Sequence, residues 1–291
     1  MSAAPAPGGV PDRSRTIQLS FSGRQASIHP DGFTPGGYVL EIGGAEQSHV
    51  DMSDPTRIFY EYLRRIGHLV DLVAPPGTPI TAAHLGAGGL TLPRYVQATR
   101  PGSRQVAVEI ERELPTLVTS QLPLPSGTRL ALIHDDARAA LPRLAGAAGL
   151  TEGEGFDIVV LDIFSGEDSP AHLACGEHYA QILPLLSERG VLAVNIGDDP
   201  GLRFFADQLE QLAEAAEPAG GVWTLAETRM LEAKTAGNLI LAAGPGLDPR
   251  PVGEEAARER AARIRAEGPH PASCLTPEQS ADLLRMLRNR A

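Results

Sequence analysis

The sequence predicts an α/β fold with a mostly parallel sheet, an antiparallel last strand and a small antiparallel β domain in front of it. Three observations predict this. From about residue 80 to 245, apolar runs alternate with helix-like segments, the pattern of a parallel sheet covered on both faces. The last two runs, WTLAE (223–227) and NLILAAG (238–244), are joined only by TRMLEAKTAG, too irregular for a crossover helix, so they should pair as a hairpin. Residues 15–50 hold short β-prone runs, TIQLSF, ASIHP and GYVLEIGG, broken by Gly and Pro as in a set of hairpins. A parallel sheet ending in an antiparallel hairpin is the Rossmann-like, methyltransferase-type architecture rather than the plain dinucleotide-binding one.

In chain order, residues 1–14 read as a Pro/Gly/Ala-rich tail without the apolar middle of a signal peptide. A hairpin domain is expected over 15–53, a catalytic domain over 54–248 and a helical extension over 249–291. In DPTRIFYEYLRRIGHLVDLV, Asp54 can cap and Pro55 fits the first helical turn, with apolar residues from Ile58 to Val70 recurring at three- and four-residue steps. One amphipathic helix is predicted. The strands then expected are TAAHLG (81–86), QVAVEIE (105–111), LALIHDD (130–136), DIVVLDIF (157–164) and GVLAVNIG (190–197), before the closing hairpin. Helices should fill LTLPRYVQATR, RELPTLVTSQL, ARAALPRLAG, AHLACGEHYAQILPLLSE and GLRFFADQLEQLAEAA, and two charged helices, 251–267 and 276–290, should follow with PHPASC between them.

Of the 291 residues, 25 are basic and 36 acidic, a net charge of −11. That balance argues against a general nucleic-acid binder. No apolar run reaches the roughly 18–20 residues a bilayer crossing needs. Two cysteines, Cys175 and Cys274, make no disulfide framework, so a cytoplasmic setting is expected. His49, His68, His84, His134, His172 and His178 show no metal-ligand spacing, so no metal is expected.

The first parallel strand runs into Gly86-Ala87-Gly88-Gly89. Glycines at a strand-to-helix turn let backbone pass close to a ligand, although such turns also serve plain tight connections. Glu109, 21 residues beyond Gly88, ends the next strand, where an acid can accept from both hydroxyls of a ribose. Asp135-Asp136 end the third strand; Asp136 could meet an adenine amino group, cap the helix starting at Ala137, or do both. The third position of a G-x-G-x-x-G fingerprint would be Thr91, and no phosphate-facing basic residue follows, which favours an adenosine without a pyrophosphate. DIVVLDIF is apolar but for Asp157 at its start and Asp162 near its carboxyl end, the end that faces the ligand crevice. Asp162 is either tied to its own loop or binds and deprotonates a cationic amine.

The segments HLGAGGLTLPRYVQATRPGSRQVAVEIE, LALIHDDARAAL and DIVVLDIFSGEDSPAHLACGEHY, in this order, resemble the spermidine synthase family of polyamine aminopropyltransferases. GGYVLEIGGAEQSHVD and the helix with Phe59-Tyr60-Glu61 are similar to that family's hairpin domain and first helix, so the resemblance spans roughly 36–245. It implies transfer of an aminopropyl group from decarboxylated S-adenosylmethionine to an amine such as putrescine, in a homodimer, with no prosthetic group. It implies that Gly86, Gly88, Glu109 and Asp136 hold the nucleoside and that Gln47 closes over the donor. Asp162 takes the place of the catalytic acid, Tyr60 and Ser165 belong to the amine side, and loop 165–172 is the gate. The chain departs from the family at Gly43, Glu61, Gly89, Ser165 and Lys234; the acid usual in the glycine loop is Gly89, and the late tyrosine of the amine pocket is matched by Lys234. Two other readings keep the fold: a methyltransferase using intact S-adenosylmethionine, and a catalytically silent nucleoside-binding protein.

Overall fold

A computed structural model describes residues 15–165 and 169–289. The N-terminal strands β1 (Arg15–Gln18), β2 (Gln25–Pro30), β3 (Gly37–Ile42) and β4 (Ala45–Asp51) form an antiparallel sheet in sequence order. Gly43 and Gly44 turn β3 into β4 with φ of +63° and +82°, the two positive values that a tight two-residue hairpin loop requires.

The second sheet has eight strands. Five run parallel in the order β7 (Arg129–His134), β6 (Arg104–Glu109), β5 (Thr81–Leu85), β8 (Phe156–Ser165) and β9 (Leu186–Asp198). β11 (Gly237–Ala243) is inserted antiparallel between β9 and β10 (Trp223–Glu227), as the helix-free connection requires. An eighth strand, β12 (Ala272–Leu275), pairs antiparallel with the outer edge of β10. It lies in PHPASC, expected only to link two helices; the backbone of Ala272–Leu275 instead covers an edge that would otherwise present unpaired N–H and C=O groups.

Helices cover both faces. α1 (Glu61–Leu72), α2 (Thr91–Thr99) and α8 (Gly253–Glu267) pack with Ile158, Val160, Ala193 and Ile240 on one face. On the other, α4 (Ala137–Ala140), α5 (Leu144–Ala147), α6 (Gly176–Ile182), α7 (Arg203–Ala216) and α9 (Pro277–Arg288) pack with Val159, Leu161, Val194 and Leu241. The alternation 158/160 against 159/161 is the two-residue period of a strand buried on both sides. The N-terminal sheet shares a third core with α3 (Leu114–Gln121) through Leu40, Val50, Leu90 and Leu117, which seats it over the glycine turn.

Several boundaries differ from expectation. The first helix starts at Glu61, not beside Asp54: the Asp54 carboxylate accepts from Thr56 N–H and Oγ1, and Asp51 accepts from the N–H groups of Ser53 and Asp54. These local turns satisfy the backbone in a non-helical path. Pro142 splits the expected helix 137–146 into α4, a short 3-10 turn and α5. The segment 171–188 is helical only over α6 and a 3-10 turn at Leu183–Leu185; Leu186, Ser187 and Glu188 already belong to β9. Trp223 is buried as core, its indole N–H donating to Leu247 O at 3.0 Å.

Candidate active site

A cavity of about 420 Å³ opens at the carboxyl ends of β5, β6, β7 and β8, beneath β4. Gln47, Gly86, Gly88, Glu109, Asp136 and Asp162, all nominated from sequence, line it together. A second chamber of about 490 Å³, reaching Tyr60, Glu61 and Glu227, shares Gln47, Tyr62, Asp162 and Ile163 with the first. The two meet at Asp162.

The glycine turn is shaped by its neighbours. Gly86 has φ +95°, and a Cβ there would overlap the carbonyl oxygen of Asp162 on the adjacent strand. At Gly89 a Cβ would lie 2.8 Å from Ser48 Cβ and 3.0 Å from Val50 Cγ2, and its N–H donates to Ser48 Oγ at 2.9 Å. No side chain fits at 89. The missing acid and the close approach of β4 are one structural fact.

Glu109 is buried at the end of β6. Its Oε2 accepts from Ala87 N–H at 3.1 Å and its Oε1 from Glu111 N–H at 3.0 Å, so the carboxylate also holds the glycine turn in place. A carboxylate has about four lone-pair sites, which leaves capacity toward the cavity. Burial raises its pKa above the usual carboxylate value against those backbone hydrogen bonds, and the neighbouring Glu111 raises it further. Glu111 itself accepts from Ser22 and Phe21 N–H, and Glu113 from Ser20, which ties the β1–β2 turn and the Phe21 ring to the cavity mouth.

Asp136 does cap α4: Oδ1 accepts from the N–H groups of Arg138 and Ala139, both at 3.0 Å. Its other oxygen, Oδ2, lies 2.7 Å from Nε2 of His172, a wall residue of the same cavity.

The two acids of β8 have opposite environments. Asp157, at the amino end, is gripped by Arg189 (2.8 and 3.0 Å), Ser187 Oγ and Thr81 N–H. Burial raises its pKa but these donors outweigh it, holding the carboxyl below the usual range. Among the described residues Asp162 receives only Asn195 Nδ2 at 2.8 Å and a long bond from the Tyr62 hydroxyl at 3.4 Å. Burial there prevails and raises its pKa. Burial pushes the Tyr62 phenol far above its ordinary range, so it stays a donor. Asp162 and Ile163 lie at a register irregularity between β8 and β9, between the pairs Leu161↔Val194 and Phe164↔Ile196. A bulge of this kind re-aims side chains, and here the carboxylate meets Asn195.

In the second chamber Tyr60 donates to Glu46 Oε2 at 3.2 Å, and burial together with Glu46 pushes its phenol up to about 12. Glu46, Glu61 and Glu227 line the chamber beside the buried Arg65. Lys234, expected at the amine pocket, lines neither chamber; it is exposed and paired with Glu232 at 3.0 Å. Gly166, Glu167 and Asp168 lie outside the described residues, as does the side chain of Ser165. Sequence reasoning missed Tyr62, which sits in the apolar stripe of α1, and also Glu46, Asn195 and Glu227. A signal existed for the last two: each is a lone polar residue toward the carboxyl end of an apolar strand, as Asp162 is.

No family model matches the sequence. A polyamine aminopropyltransferase of Vibrio vulnificus is 30% identical over 139 residues, 48% of this chain and 44% of that one, so the match spans under half of the relative's length. A probable spermidine synthase from Corynebacterium glutamicum superposes with a TM-score of 0.77 at 24% identity, covering 93% of both chains. Sequence and fold agree on a resemblance to the spermidine synthase family. A spermidine synthase solved in complex with the transition-state analogue AdoDATO gives a TM-score of 0.54 at 14% identity, over 86% of this chain and 78% of that one. At these identities the likeness to the solved structures is one of fold.

Proposed function

We propose that the protein transfers an aminopropyl group from decarboxylated S-adenosylmethionine to an amine of a polyamine. The observation that carries this is the junction of two acid-lined chambers at one partly desolvated carboxylate, Asp162. In this reading Glu109 accepts from the ribose hydroxyls, Asp136 from the adenine amino group, and Gln47 lies over the donor.

The choice of donor follows from charge. Among the described residues the first cavity is lined by Glu109, Glu111, Asp135, Asp136 and Asp162 and by no lysine or arginine. A sulfonium and a free amine suit that field, whereas an α-carboxylate would meet acids and no cation. On the acceptor side Glu46, Glu61, Glu227 and Asp162 outnumber Arg65 by three charges, which supplies the attraction that the family acid absent at Ser165 does not.

The chemistry needs little else. An acceptor amine with a pKa near ~10.4 arrives protonated. Asp162 attracts the ammonium, takes its proton, and leaves the nitrogen lone pair free to attack the carbon beside the sulfonium. The C–N bond forms as the C–S bond breaks, its electron pair going to sulfur to leave a neutral thioether, and in-line placement across the chamber junction supplies much of the acceleration.

Calorimetry with both donors tests the reading. The decarboxylated donor is expected to bind at least about tenfold more tightly, the worth of roughly one unfavourable charge contact. Tighter binding of the carboxylated donor would point to methyl transfer, and no heat from either to a silent homologue. A panel of di- and polyamines followed by mass spectrometry then identifies the acceptor.

A further inference from the structure

Back to back with the acceptor chamber, across α1, lies a separate cavity of about 550 Å³. Its walls include Arg57 and Phe59 from the connector before α1, Arg64 and His68 from α1, His49 from β4 and Tyr95 from α2. The lining carries no carboxylate among the described residues, an exception in a chain of net charge −11. Arg64 has no side-chain partner among the described residues, and Arg57 reaches only the buried Asp51, at a long 3.5 Å. Among the described residues, Nδ1 of His49 and Nε2 of His68 are buried without a hydrogen-bond partner, a condition that folded chains avoid unless something else satisfies the group.

The apolar side of the cavity is also built. Phe59 is 55% exposed yet stacked on His49, with centroids 4.4 Å apart. Tyr95 is fixed by its hydroxyl, which donates to Asp71 at 2.6 Å. Gly67, in the interior of α1 where alanine would be the better helix former, faces this space: a Cβ there would press on Ile58 Cδ1 at 3.1 Å and touch Tyr95 at 3.7 Å. An exposed phenyl ring and a partly buried phenol beside two under-used guanidinium groups form a surface for a flat anion.

We propose that this cavity binds a small organic anion, a phosphate or carboxylate on an aromatic or heterocyclic body. Arg57 and Arg64 hold the anionic group, and the body lies against Phe59 and Tyr95. The site is distinct from both chambers, since Glu61, Tyr62 and Arg65 of the same helix face the acceptor side while Arg64, Gly67 and His68 face this one.

The test uses the full chain, with inorganic phosphate and phenyl phosphate as probes in calorimetric titrations. Both are expected to saturate, phenyl phosphate more tightly. The double variant Arg57→Ala/Arg64→Ala should weaken both by at least about tenfold, the loss of charge-assisted contacts. Phe59→Ala should erase the advantage of phenyl phosphate and leave inorganic phosphate unchanged. Arg258→Ala, at an exposed arginine on α8 paired with Glu254, is the control and should change nothing. Absence of saturation, or equal affinities in the double variant and the control, would overturn the proposal. So would a change of oligomeric state in the double variant by sedimentation, which would make this surface a contact between copies of the chain.

Discussion

Asp162→Asn is expected to lower turnover by about 10²–10⁴-fold, the usual contribution of a positioned general base, with donor affinity nearly unchanged. Asp162 stands at the mouth between chambers, while the nucleoside side rests on Glu109 and Asp136. The amide is close to isosteric, and the Tyr62 hydroxyl can turn from donor to acceptor, so the fold should tolerate the exchange. Single-turnover product formation by mass spectrometry, beside calorimetric donor titration, reads the two effects apart. Unchanged turnover would remove Asp162 as the base. The pH profile adds a signature. Only the ionised carboxylate can take the proton, and its pKa is raised by burial, so activity should fall as pH drops through a value above the ordinary aspartate one. That acid limb should vanish from the residual activity of Asp162→Asn. Asp157 makes no such limb, because its carboxyl is held low by Arg189 at the far end of the strand.

The parts of the fold legible in sequence were those governed by local periodicity and by the carboxyl-end rule for parallel sheets. WTLAE needed no adjustment as a strand, and the missing crossover helix correctly made β11 antiparallel. Glu109, Asp136 and Asp162 fell into one cavity because each ends or nearly ends a parallel strand, which topology converts into proximity. What stayed hidden depends on contacts between distant segments. Gly89 read as a lost acid, but only the approach of Ser48 and Val50 shows why nothing larger fits. Tyr62 obeys the helical period of a core residue, and only the packing of α1 against β8 and β9 turns its hydroxyl toward Asp162. Lys234 was placed by linear correspondence through an irregular loop, where such correspondence slips easily; the structure puts Glu227 at the chamber instead. Asp54 looked like a helix cap because its neighbours are suitable, yet its carboxylate closes a local turn on Thr56 while Asp51, three residues earlier, takes the N–H groups of Ser53 and Asp54, and the helix starts only at Glu61.

Gly86→Ala is expected to impair donor binding and turnover together, lowering kcat/KM by at least about 10²-fold, since misplacing a reacting group by roughly 1 Å costs that much. Two effects coincide at this position. The backbone has φ +95°, where a side chain is strained, and the added Cβ would overlap the backbone oxygen of Asp162. β5 cannot yield easily, because Ala82 to Leu85 are paired in register with β8 on one side and β6 on the other. The collision is therefore relieved where β8 is already irregular, at Asp162 itself, which tilts the carboxylate away from Asn195 and the chamber junction. Gly44→Ala separates strain from displacement: φ there is +82°, but a Cβ would meet nothing within 4 Å. That variant should melt slightly lower and keep its kcat/KM. Gly86→Ala should melt lower and lose activity as well, and near-normal kcat/KM in it would show that the close passage of these two strands does not set the position of Asp162.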